Sequence, residues 1–179
     1  MLTPAQTGIS TQYHTLKVGG DSAAIAGLCK LLIEWDDEAL RNGEPRILDA
    51  TFIAEHTYGF EAFATAMRET SWDIIEQQCH LSRAELEAAA REYARARAVM
   101  VLYGMGITQH RSGVQNVQML VNLLLLRGNI GRPGAGICPI RGHSNVQGQR
   151  TVGITEKPEL APLDRLAELY GFEPPRDKG

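Results

Sequence analysis

The fold is decided by residues 98–148, which read AVMVLYGMGITQHRSGVQNVQMLVNLLLLRGNIGRPGAGICPIRGHSNVQG. The segment begins with a continuous apolar run from Ala98 to Tyr103, which stops at Gly104. A short apolar run that follows a helix predicts a strand buried on both faces, and such strands are parallel to their neighbours. A second helix is predicted from Gly113 to Arg127, with Gly128 as its C-cap.

The order helix, strand, helix around this segment predicts an α/β fold. The helix before the strand begins with a capping box, Ser82 to Glu85. We therefore expect a helix-rich, three-layer Rossmann-like domain with a parallel sheet, whose ligand loops follow the carboxyl end of the strand. The residues expected to face inward on the second helix are Val114, Val117, Leu120, Val121, Leu124 and Leu125.

The residues upstream of the strand are predicted to be mostly helical. Asp21 is the expected N-cap of a helix that runs to Leu40, and three short helices are predicted at Asp49–His56, Phe60–Glu69 and Trp72–Cys79. After residue 157, four prolines and returning acidic residues change the composition. We therefore predict one α/β domain over residues 1–157 and a linker, or the start of a further domain, over residues 158–179.

Positive charge is concentrated in one part of the chain. Residues 93–155 contain seven arginines but no lysine, aspartate or glutamate, although the whole chain carries a net charge of −3. Guanidinium groups make planar two-point contacts with phosphate and carboxylate, and glycine-rich loops let backbone N–H groups approach an anion. The pattern predicts a site for a large anionic ligand, although arginines such as Arg95 and Arg97 can equally lie on a solvated helix end.

Several kinds of site are disfavoured by what the sequence lacks. It has no P-loop motif, and Gly104-x-Gly106 lacks both the third glycine and the downstream acid of a dinucleotide fingerprint. An NADP site therefore remains only a weaker alternative. Few aromatic residues accompany the arginines, so we expect no nucleic-acid partner.

The three cysteines, Cys29, Cys79 and Cys138, are widely separated and form no metal-binding or disulfide pattern. We expect each to be a buried thiol. The N-terminus does not resemble a signal peptide, and no apolar run is long enough to span a bilayer. These features predict a cytoplasmic protein without a membrane segment.

Three motifs together resemble the molybdopterin oxidoreductases. They are GMGITQH at 104–110, GNIGRPGAG at 128–136 and RGHSNVQG at 141–148, and the likeness extends over roughly residues 12–157. The chain is most similar to formate dehydrogenase alpha subunits and their less characterised relatives. The resemblance implies an interior domain of a larger enzyme in which molybdenum or tungsten, held by two molybdopterin guanine dinucleotides, performs two-electron redox chemistry.

The resemblance also implies roles for particular residues. Arg141 is the expected catalytic residue, since its counterpart lies near the metal and the substrate anion. The residues expected to bind the cofactor are Gly104, Met105, Gly106, Gln109, His110, Arg141, His143, Asn145, Gln147 and Gly148. His143 stands where formate dehydrogenases usually carry Gln, which is the pattern of the less characterised branch.

The family's metal-ligating residue has no counterpart in this sequence, so no metal ligand is predicted here. Any iron–sulfur cluster would also lie outside the chain, and we expect the chain alone to be inactive. The expected partners are a small anionic substrate, formate or similar, and electron-transfer subunits. The alternative from another class is a stand-alone module that binds a guanine nucleotide or another phosphate ligand without redox activity.

Overall fold

A computed structural model describes residues 10–155 and 157–174. Packing divides the chain into two compact units, Met1–Ile140 and Arg141–Gly179. The first unit contains most of the predicted elements, and the second contains the RGHSNVQG motif. The predicted domain boundary between residues 157 and 158 refers to the domains of a larger protein, so it stays a prediction.

The first unit is mostly helical, as its sequence predicts. The helices Phe60–Glu69 and Trp72–Cys79 have the predicted bounds, and the Ser82–Glu85 capping box begins the helix Arg83–Arg95 with both of its reciprocal hydrogen bonds. The first helix begins at Asp21 itself, with Gly20 as its cap residue, so the prediction of Asp21 as N-cap was one residue late. The elements are α1 (Asp21–Asn42), α2 (Ala50–His56), α3 (Phe60–Glu69), α4 (Trp72–Cys79), α5 (Arg83–Arg95), β1 (Met100–Tyr103), α6 (Met105–Thr108), α7 (Gly113–Leu125) and β2 (Gly136–Pro139).

Helix α1 lies at the centre of this unit and packs against α3, α4, α5 and α7. One side of α1 contributes Ile25, Cys29 and Leu32 to a core that includes Leu120 and Leu123 of α7. Its other side contributes Ala24 and Leu31 to a second core, formed with residues of α4 and α5. Because both sides are buried, α1 is the scaffold on which the other elements are placed.

The sheet consists of two parallel strands, in which Met100 pairs with Gly136 and Tyr103 with Pro139. The parallel direction confirms the prediction, but burial on both faces was wrong. Met100 and Leu102 are 51% and 59% exposed, whereas Val101 and Tyr103 pack against the core. The reason is that no layer of the described residues covers the face that carries Met100 and Leu102. The chain is therefore a helix-rich α/β structure with a small parallel sheet.

The second unit is formed by short helices. They are α8 (Val146–Thr151), a 3-10 helix (Pro158–Leu160) and α9 (Leu163–Tyr170). Gly171 ends α9 in the left-handed conformation, a common helix stop because glycine has no Cβ to clash. Within the described ranges, no helix combines the length and apolar character that spanning a membrane requires.

Candidate functional site

The first unit has a pocket of about 620 Å³ at the carboxyl end of β1. We call it the strand-end pocket. Two stretches of chain form most of its wall, the segment before α1 and the turn that follows β1. Its lining residues are Leu16, Lys17, Val18, Gly19, Asp21, Val101, Leu102, Tyr103, Gly104, Gly106, Ile107, Gln109, His110 and Leu120.

Four of the residues predicted to bind a cofactor line this pocket, namely Gly104, Gly106, Gln109 and His110. Met105 belongs to the same turn but is not part of the lining, and it is 49% exposed. Its Sδ accepts a hydrogen bond from Gln109 Nε2 at 3.4 Å. The structure therefore brings the residues predicted at 104–110 together on one turn, in the position expected for ligand loops of an α/β fold.

The turn is held against α7 by close backbone packing. A Cβ atom on Gly113, the first residue of α7, would overlap the carbonyl oxygen of Thr108. Glycine at this position lets the helix start directly beneath the end of α6. The order strand, turn, helix thus fixes where Gln109 and His110 lie.

Asn116 ties this turn to α1. Its side chain is fully buried, and its Nδ2 donates to the carbonyl oxygen of Ile107 at 3.0 Å. The same nitrogen lies 2.7 Å from Nε2 of His110, and Ser22 Oγ of α1 donates to Asn116 Oδ1. The imidazole also faces Asp21, whose Oδ2 lies 3.9 Å from His110 Nε2. The network therefore fixes the His110 ring at the edge of the pocket.

Lys17 and Asp21 are pocket residues that were not predicted from the sequence. They reach the strand end because Lys17 N donates to the carbonyl oxygen of Cys79 at 3.0 Å. Gly20 allows this approach, since a Cβ there would lie 2.7 Å from the Gln78 carbonyl oxygen. The sequence feature that indicates this arrangement is the pair Gly19-Gly20 directly before a helix. Lys17 lies before the pair and Asp21, of opposite charge, lies after it.

The arginines of the first unit do not lie where the charge pattern suggested. None of Arg95, Arg97, Arg111, Arg127 and Arg132 lines the strand-end pocket. Arg127 donates to the carbonyl oxygens of Ile47 and Ala96. The cation of this pocket is Lys17, whose flexible ammonium makes point contacts rather than planar ones.

The remaining predicted site residues lie in the second unit. Arg141, His143, Asn145 and Gln147 are exposed there, and Gly148 is half-buried. Asn145 precedes α8, and its side chain packs over Gly148, where a Cβ would overlap it. The motif thus presents a compact row of hydrogen-bonding side chains.

The cysteines differ in their environments. Cys29 and Cys79 are buried, as predicted, and burial raises the pKa of the Cys29 thiol far above its ordinary value. Cys138 is exposed, so the prediction of a third buried thiol was wrong. It lies on β2, and the two-stranded sheet does not enclose it.

Potential metal ligands are not grouped in the part of the chain that the structure describes. Among residues 10–155 and 157–174, no three His, Cys, Asp or Glu side chains come together in a way that could hold a metal ion. The strand-end pocket instead offers amide, imidazole, ammonium and backbone groups. This donor set fits a phosphate-bearing organic ligand with a polar heterocycle.

Comparison with known proteins identifies the family. The sequence profile described as molybdopterin oxidoreductase matches residues 6–165. The chain belongs to the molybdopterin oxidoreductase family. The match covers the strand-end pocket and the RGHSNVQG motif, and it confirms the resemblance seen in the three motifs.

Relatives within the family include proteins with and without an assigned reaction. Protein YdeP of Escherichia coli K12 is 52% identical over 179 residues, which are 100% of this chain and 24% of that protein. The uncharacterized oxidoreductase Rv2900c of Mycobacterium tuberculosis H37Rv is 37% identical over 96% of this chain and 21% of that protein. Formate dehydrogenase H of Escherichia coli K12 is 34% identical over 81% of this chain and 19% of that enzyme. The chain spans about a quarter of the length of the curated YdeP and Rv2900c proteins that it matches.

Proposed function

We propose that this chain holds a molybdopterin guanine dinucleotide within a formate-dehydrogenase-like oxidoreductase. The main support is that four of the residues predicted to bind the cofactor line one pocket at the carboxyl end of β1, in a chain of the molybdopterin oxidoreductase family. The likeness to formate dehydrogenase H supports a small anionic substrate such as formate.

The donor groups of the strand-end pocket suit such a cofactor. Gln109 and His110 offer hydrogen bonds to a polar heterocycle, and the turn at Gly104 and Gly106 leaves open space next to the backbone. Lys17 is the cation available there for a phosphate. When bound, the molybdenum or tungsten cofactor supplies the two-electron redox chemistry, and these residues bind and orient it.

The second unit carries the other residues proposed to act on the substrate and the cofactor. Arg141 is proposed to hold the substrate anion, because a guanidinium in a dry site stabilises negative charge by several kcal/mol. His143, Asn145, Gln147 and Gly148 are proposed to contact the cofactor. They share one short segment, so a single ligand could meet several of them at once.

The three-layer Rossmann-like arrangement is proposed for the larger protein. The exposed face of β1, with Met100 and Leu102, is apolar and of the kind that a parallel sheet buries under a further layer. We place the domain at residues 1–157, with a linker or a further domain from 158. A cytoplasmic location and electron-transfer partner subunits are part of the same proposal.

The decisive experiment is elemental and nucleotide analysis of the natural gene product that contains this chain, purified from cells able to make the cofactor. We expect molybdenum or tungsten, with two guanine nucleotides released for each metal atom. The substitution Gln109→Ala should lower the cofactor content. Gln115→Ala is the matched control, because Gln115 is exposed on α7 and is not a pocket residue.

The same analysis discriminates the stand-alone module. Protein that lacks both metal and pterin but binds GDP tightly would favour a nucleotide-binding module over the oxidoreductase. The family match favours the oxidoreductase.

A further inference from the structure

A second charged pocket is formed in part by Arg97, which precedes β1 in the chain. It has a volume of about 430 Å³ and is lined by Arg46, Ile47, Leu48, Asp49, Ala50, Thr51, Arg97, Arg127 and Arg132. We call it the arginine pocket. It shares no lining residue with the strand-end pocket.

Three of the four guanidinium groups are fixed by contacts that use only part of their donor capacity. Arg127 donates through Nη1 to the Ile47 carbonyl oxygen at 2.5 Å and through Nη2 to that of Ala96 at 3.4 Å. Arg132 Nη2 donates to Asn129 Oδ1 at 2.6 Å. Arg46 forms an ion pair with the buried Asp36, with Nη2 to Oδ2 at 2.6 Å. Each guanidinium has five N–H donors, so several remain for a ligand.

Arg97 differs from the other three. It is exposed, and within the described residues it makes no hydrogen bond or ion pair. Its neighbour Arg95, by contrast, forms an ion pair with Glu92 at 3.5 Å. Arg97 is therefore the arginine of this pocket whose five N–H donors are all available to a ligand.

The lining of this pocket, as far as the structure describes it, carries more positive than negative charge. Its lining contains four arginines and a single carboxylate, Asp49. Arg46 is compensated by Asp36 from outside the lining. The Arg46–Asp36 pair is neutral, and Asp49 offsets the charge of one of the other three arginines. Two positive charges therefore remain. Like charges held this close repel one another, so the arrangement favours binding of a counter-anion.

We propose that the arginine pocket binds a phosphate-class oxyanion, either free phosphate or a phosphate group of a larger molecule. Two unbalanced charges match a phosphate dianion better than a single carboxylate. Guanidinium groups that approach from separate segments can also contact several oxygens of a tetrahedral anion at once. The site is additional to the cofactor site and does not depend on it.

The test is isothermal titration of the natural gene product at low ionic strength with inorganic phosphate, pyrophosphate, ADP and acetate in turn. We expect saturable binding of phosphate or pyrophosphate, weakened at least tenfold by Arg97→Ala and restored in part by Arg97→Lys. Arg95→Ala is the matched control and should leave binding unchanged. Because Arg97 is exposed and unpaired within the described residues, its substitution should not affect folding, which circular dichroism would verify.

The relative affinities of these ligands distinguish a free anion from a phosphate group of a nucleotide. Tighter binding of ADP than of pyrophosphate, still sensitive to Arg97→Ala, supports a nucleotide phosphate. Tighter binding of inorganic phosphate or pyrophosphate than of ADP supports a free anion. Acetate binding as tight as phosphate would overturn the proposal and point to a carboxylate of a protein segment. Absence of saturable phosphate binding, or phosphate binding unaffected by Arg97→Ala, would also overturn it.

Discussion

Replacement of Asn116 by alanine should loosen the turn that carries Gln109 and His110. Asn116 is fully buried and contacts three parts of the first unit, the Ile107 carbonyl, the His110 ring and the Ser22 hydroxyl of α1. Alanine keeps the helical backbone of α7 but removes all three contacts. The half-buried Ile107, His110 and Ser22 would then lose these hydrogen bonds, and a polar group shielded from water destabilises the fold when it is unpaired.

The size of the effect follows from these contacts. At about 1 kcal/mol of net stabilisation for each hydrogen bond, the three together contribute about 3 kcal/mol. Since 1.4 kcal/mol corresponds to a tenfold change in an equilibrium constant, local opening of the turn should become about 100-fold more frequent. Amide hydrogens at the start of α7 should exchange faster by the same factor.

Hydrogen exchange measured by mass spectrometry on the natural gene product tests this directly. Peptides over residues 104–118 should lose protection, whereas peptides from α4 should not. Asn122→Ala is the control, because Asn122 lies on the same helix and makes no side-chain hydrogen bond within the described residues. If the two variants exchange alike at 104–118, the Asn116 network does not hold the turn and our reasoning fails.

Three further predictions concern stability and activity. Burial by itself would raise the Asp36 pKa, but hydrogen bonds from Arg46 and from the Leu48 and Ile47 amides hold it below the ordinary value of 3.8. The ionised Asp36 carboxylate therefore stabilises the folded state fully above its ordinary pKa of 3.8, and this stabilisation is lost as pH falls through the lowered pKa. Asp36→Asn should cost about 2 kcal/mol at pH 7 and flatten the loss of stability in acid, as urea unfolding from pH 7 to pH 3 would show; an unchanged pH profile would contradict this. Gly20→Ala should displace the segment before α1 and lower the free energy of unfolding by about 1–3 kcal/mol, because the added Cβ would lie 2.8 Å from Cys79 Cα. Gly104→Ala is the control: its added Cβ would lie in open space, so the free energy of unfolding should not change. The 179-residue chain alone is predicted not to reduce a dye with formate, because its sequence has no counterpart of the family's metal-ligating residue; formate-dependent reduction would disprove the prediction.

Local sequence signals predicted the helices well. The capping box at Ser82 and Glu85 and the helices Phe60–Glu69 and Trp72–Cys79 depend on contacts within a few residues. The inward face of α7 was less accurate. Val114 was predicted to face inward but is 70% exposed, whereas the polar Asn116 is fully buried. Hydrophobic periodicity cannot identify a buried amide whose partners, Ser22 and His110, come from other parts of the chain.

The strand and the pocket show a different limit. The apolar run at Met100–Tyr103 predicted a parallel strand correctly, but its two-sided burial requires a layer that the described residues do not provide. Lys17 was missed because it reaches the pocket through a contact with Cys79, over 60 residues away in sequence. Motif resemblance predicted Gln109 and His110 as cofactor-binding residues, and both lie on the turn that follows the strand; their role stays a prediction.

The pairing of β1 with β2 has a consequence for synthesis of the protein. Met100 pairs with Gly136, which lies 36 positions further along the chain. At roughly 5–20 residues per second, β1 leaves the ribosome about 2–7 s before its partner strand. During that interval its backbone donors and acceptors and its apolar side chains are open to other nascent segments. The rate of translation between residues 100 and 136 thus sets how long this strand stays unpaired.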